Sequence, residues 1–98
     1  MQDKKETVIT VQKVVEAGQD HILLLNSDKK LWITERNSGG SAGQPQFMLD
    51  DVFHVVFFKN SVTVLLESGD SLVADMDEIR RRLANKWNLS EAFRGQES

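Results

Sequence analysis

The chain has 98 residues, of which 40% are hydrophobic and 28% charged, and its net charge is −3. Those values describe one soluble globular domain with a modest core. There is no cysteine, which excludes a disulfide framework, a thiolate metal site and a cysteine nucleophile.

No apolar run approaches the length of a membrane span. The N-terminus, MQDKKETV, is charged without a following apolar stretch, so it does not read as a secretory signal. The expected location is the cytoplasm. The acidic balance argues against a dedicated nucleic-acid binder. The charge is uneven, however: residues 76–94 hold Arg80, Arg81, Arg82, Lys86 and Arg94 against Asp77, Glu78 and Glu91.

Met1–Glu6 is polar and predicts a frayed end. Thr7–Ala17 alternates, with Ile9, Val11, Val15 and Ala17 on one face and Lys13 as the exception. That pattern predicts a strand with a bulge near Lys13. Gly18-Gln19-Asp20 is a turn, His21–Leu25 a short apolar strand, Asn26–Lys29 a second turn, and Lys30–Glu35 an alternating strand. Together they predict an antiparallel meander over residues 7–35. Residues 36–46, RNSGGSAGQPQ, contain three of the six glycines and the only proline. Such a segment buries too little apolar surface to order itself, and it predicts a mobile loop.

The second strand-rich half covers residues 47–75. Phe47–Leu49 is a short lead-in and Asp50-Asp51 an acidic break. Val52–Phe58 and Ser61–Glu67 form a hairpin about Lys59-Asn60, and Ser71–Ala74 follows a Ser68-Gly69-Asp70 turn. Laid over the first half at a shift of 41 residues, Val8–Thr34 and Leu49–Asp75 agree at seven of 27 positions without a gap. The turns coincide as well, which predicts two related three-stranded meanders. Where the first has Glu16-Ala17, the second has Phe57-Phe58. The run Val55–Phe58 places apolar groups on both strand faces, with Phe53, Val55 and Phe57 on one and Val56 and Phe58 on the other. Val56, Phe57 and Phe58 are therefore candidates for an interface.

After Asp75 the period changes. Asp75 and Glu78 have capping-box spacing. Met76, Ile79, Leu83 and Trp87 form one helical stripe, expected to face inward. Asn88 weakens the helix, so Leu89–Arg94 is a separate turn anchored by Phe93, and Gly95–Ser98 a tail. The helical segment as a whole is placed at 76–94. Its arginine run, with Lys86, is the candidate binding face for a partner or an anion. The alternative is a solvated face.

No catalytic constellation can be assembled. His21 and His54 have no acid at ligand-like spacing, Asp50 and Asp51 point to opposite strand faces, and Gly39–Gly43 lacks the Lys-Ser/Thr of a phosphate loop. No metal, cofactor or enzymatic activity is expected. The predicted architecture is mostly β, two antiparallel meanders forming a small sandwich or partly open barrel closed by the C-terminal helix. That order of strands and one terminal amphipathic helix resembles pleckstrin-homology-like domains at the level of architecture. The segments VQKVVEAGQDHILLL and FHVVFFKNSVTVLLESGDSL are also similar to the β-rich pattern of LytTR DNA-binding domains. The basic, histidine-containing segment of those domains has no counterpart in RNSGGSAGQPQFMLDD.

The expected function is a non-enzymatic interaction module that associates with itself or with a protein partner, through a sheet edge or the Phe-rich hairpin. The alternative is a nucleic-acid or anionic-surface binder working through the basic helix.

Overall fold

The computed structural model describes residues 10–36 and 44–95. The predicted frayed N-terminus, the strand residues before Thr10, the centre of the glycine-rich loop and the end of the tail lie outside them. The strands are β1 (Val11–Glu16), β2 (His21–Asn26), β3 (Leu31–Glu35), β4 (Gln46–Leu49), β5 (Val52–Phe58), β6 (Ser61–Leu66) and β7 (Ser71–Asp75). A helix α1 (Met76–Asn85), a 3₁₀ turn (Leu89–Ala92) and a two-residue strand β8 (Arg94–Gly95) follow. The helical segment predicted over 76–94 is thus three elements.

Hydrogen bonding divides the strands into two antiparallel sheets, β1-β2-β3-β4 and β5-β6-β7-β8. The sheets are separate, so the strands do not close into a barrel. The break falls at Asp50-Asp51, where Asp51 is left-handed with φ 55°. Extended backbone cannot continue through that conformation, so the chain starts a new sheet rather than extending the first.

Buried residues from both sheets, α1 and the 3₁₀ turn form one cluster. It includes Leu23, Ile33, Met48, Val55, Val64, Met76, Ile79 and Leu89. Truncating a fully enclosed side chain such as Leu23 would cost about 2–5 kcal/mol, a large part of a typical stability of about 5–15 kcal/mol.

The two meanders are related as closely in backbone as in sequence. The ladder of β1 with β2 shifts between Val11 and Lys13, and that of β5 with β6 between Val52 and His54. These irregularities are 41 residues apart. In the next turns, Asn26 N–H donates to Lys30 O and Lys29 N–H to Asn26 O. Leu66 N–H donates likewise to Asp70 O and Gly69 N–H to Leu66 O. That match is at 40, because the β5–β6 turn is one residue shorter.

Matching register does not bring matching burial. Val14 is 57% exposed, whereas its counterpart Val55 is 1% exposed. The β5 irregularity corrects one sequence expectation. Phe53 does not share the inward face of Val55 and Phe57: it sits within the β5 irregularity and is 59% exposed.

Positive φ recurs with the repeat. Gly18 and Lys59 are equivalent at a shift of 41, and Lys29 and Gly69 at 40; all four have positive φ. Each meander has glycine where the other strains a lysine. A further case closes α1. Lys86 is left-handed at φ 60°, its N–H donates to Leu83 O at 3.3 Å, and Trp87 N–H donates to Arg82 O at 2.9 Å. This is a Schellman ending with lysine at the glycine position. The ending also corrects the predicted stripe. Met76 and Ile79 are buried and Leu83 partly so, but Trp87 lies beyond the helix and is 51% exposed. Replacing Lys86 by glycine removes the left-handed penalty, so Lys86→Gly is expected to raise stability by about 0.5–1 kcal/mol in chemical denaturation.

Candidate functional site

A cleft of about 700 Å³ lies where α1 and the 3₁₀ turn meet the first sheet. Its sheet wall carries His21, Ile33, Thr34 and Glu35, with Gln44 and Gln46 beside them. Its helix wall carries Arg80, Arg82, Leu83, Ala84, Lys86, Trp87 and Leu89. The β strands place His21 and Glu35 opposite each other, because they are ladder partners at the ends of β2 and β3. His21 Nε2 is 3.8 Å from Glu35 Oε2, and the imidazole is 6% exposed. Its Nδ1 is buried and has no hydrogen-bond partner among the described residues.

The helix is started by Asp75, whose Oδ1 accepts from Asp77 N–H at 3.2 Å and from Asn60 Nδ2 at 3.0 Å. Glu78 does not complete a capping box. Its carboxylate instead receives Arg81 Nη1 at 2.5 Å and Arg82 Nε at 2.7 Å, because charge-assisted bonds to arginine are the stronger choice. Arg80 pairs with Asp77. Each arginine of the run thus has a carboxylate three or four positions before it on its own helix.

Arg82 does more than the others. Its guanidinium also donates to Asn88 O at 3.2 Å, lies 3.7 Å from Glu91 Oε1 and stands 5.8 Å from the centre of the Trp87 ring. Its side chain is only 18% exposed. It ties the last turn of α1 to the 3₁₀ turn, a role its place in a basic run did not signal. Lys86 has no such commitment and appears in none of the ion pairs among the described residues.

The other candidates are dispersed. Val56 is 44% and Phe58 67% exposed on β5, while Phe57 is turned inward and packs against the core. His54 receives Lys13 Nζ at 3.4 Å, across from β1. Asp50 accepts from Lys30 Nζ at 3.0 Å, and that bond and the Asp51 N–H hold its carboxyl below the usual carboxylate range. Among the described residues no group of three or more histidine, aspartate or glutamate side chains is placed to hold a metal ion. No helix among them is long and apolar enough to cross a membrane.

Burial lowers the His21 pKa from its ordinary 6.5, with nearby Arg80 acting the same way and Glu35 opposing. The folded state therefore resists protonation more than the unfolded chain does. The contribution is complete above pH 6.5. It is lost as pH falls through that value and levels off below the folded pKa. Stability is expected to decline as pH falls below 6.5, and His21→Phe is expected to flatten that decline. For the arginines, Arg82→Ala is expected to cost about 1–3 kcal/mol, whereas Arg81→Ala, which loses one exposed pair, should change stability by less than about 0.5 kcal/mol. Denaturant titration of both variants measures the difference.

No protein-family model matches this chain, and neither a curated protein nor a solved structure does.

Proposed function

We propose that this chain is a non-enzymatic protein-interaction module that self-associates through the β5 edge and the Phe-rich β5–β6 hairpin. The observation that carries the reading is where its exposed apolar side chains lie. Among the described residues, the large hydrophobics left exposed are Val11, Val14, Phe47, Phe53, Val56, Phe58 and Trp87. Five of these seven belong to β1 and β5, both edge strands. Edge strands present unpaired backbone groups, and natural edges are usually blunted by charge or proline. β5 carries neither. Its safeguards among the described residues are the register irregularity at Val52–His54, the approach of Lys13 and the neighbouring strand β1.

The finer view of the fold belongs to the same reading. We take the two sheets as the faces of a small sandwich closed by α1, in the pleckstrin-homology-like manner. Support comes from the shared core cluster and from the helix that follows the seventh strand. A cytoplasmic location fits a chain without cysteine. The alternative, a nucleic-acid or anionic-surface binder using Arg80, Arg81, Arg82 and Lys86, has less support because every arginine of the run is already held by a carboxylate.

Sedimentation equilibrium tests the proposal. The weight-average mass is expected to rise with concentration for the native chain. Phe58→Lys should abolish the rise, since it removes the most exposed apolar group and sets like charges against each other across the contact. A native chain that stays monomeric throughout, or a variant that associates equally well, would contradict the reading.

A further inference from the structure

We infer that the cleft between α1 and the first sheet is a binding site for a small anion with a flat apolar body, of the aryl carboxylate class. Three features of the cleft point there together. Its lining cations are Arg80, Arg82 and Lys86, and the two arginines are held by carboxylates of their own helix. Of those cations Lys86 is the one without an ion-pair partner among the described residues, so its ammonium is available to a ligand without breaking an internal contact.

The second feature is Trp87. Its indole is half exposed and borders the cleft. The Arg82 guanidinium lies 5.8 Å from the ring centre. An exposed aromatic face beside a free cation suits a flat ring carrying a negative charge.

The third is the polarity of the wall. The buried His21 imidazole keeps an Nδ1 with no partner among the described residues, within a lining that otherwise alternates Ile33, Leu83 and Leu89 with polar groups. The volume of about 700 Å³ suits a small molecule. This site is on different elements from the β5 edge, so it stands or falls apart from the self-association reading.

The test uses 2-naphthoate as the probe and the neutral 2-naphthamide as its control, on the full-length chain followed by amide and indole N–H NMR. Naphthoate is expected to give saturable shifts at Leu83, Lys86, the Trp87 indole and His21, with the amide binding about tenfold or more weakly. Lys86→Gly, which removes the ammonium while favouring the helix ending, is expected to weaken naphthoate by a similar factor and leave the amide unchanged. Trp87→Ala should weaken both. Equal binding of acid and amide would overturn the inference. So would shifts centred on Phe53, Val56 and Phe58, or no saturable shift at all.

Discussion

The constraint on which the rest depends is the left-handed turn at Asp51. Asp51 and the residue after it are bound to opposite sheets. Val52 N–H donates to Lys29 O at 2.8 Å, in the β2–β3 turn, and Asp51 O accepts from Glu67 N–H at 2.9 Å, at the end of β6. One ion pair repeats the link with side chains, Lys29 to Glu67 at 2.9 Å, and a second, Lys30 to Asp50 at 3.0 Å, holds the approach to Asp51 against the first sheet. Both pairs are substantially exposed, so their share is small. The backbone bonds and the shared cluster beneath carry the joint. Because the chain reverses within one residue, the two turns Asn26–Lys30 and Leu66–Asp70 are brought to the same end of the molecule.

Across that joint a repeated sequence does not make a repeated surface. The meanders have matching bulges and matching turns, yet Val14-Val15 and Val55-Val56 bury opposite members of the same dipeptide. The outward face of β5 consequently shows Val56 and Phe58. The replacement of Glu16-Ala17 by Phe57-Phe58 then has two separate effects. Phe57 completes the core, and Phe58 is left in solvent beside Lys59, whose ammonium lies 5.5 Å from its ring. Beyond that contact with Lys59, a solvated phenylalanine at a hairpin tip adds little to the core of this chain.

Much of the fold is legible in the sequence. Period-two alternation marks the strands, and Gly18, Asn60 and Gly69 mark the turns. The Met76–Ile79–Leu83 spacing marks the helix. The exposure of Phe53 is less legible, because it sits in a bulge that no residue type announces. The end of α1 is hidden for a related reason. Lysine at a left-handed position carries no signal, so Trp87 reads as one more member of the stripe. The arginine run illustrates a third limit. Its three members are alike in sequence, but Arg80 borders the cleft, Arg81 faces solvent and Arg82 is a largely buried tie between α1 and the 3₁₀ turn. Only the positions of Glu91, Asn88 and Trp87 around it separate the last from the others.

The claim with the widest consequences is that the β5 edge is an association surface rather than a solvated one. Edge amides distinguish these directly, because pairing with a second copy would protect backbone groups that solvent otherwise reaches. Amide hydrogen exchange of Val55–Phe58, followed over a dilution series, is the most direct measurement. The account predicts slower exchange at those amides as concentration rises, with α1 unaffected. Exchange at the β5 edge that is fast and independent of concentration would contradict it.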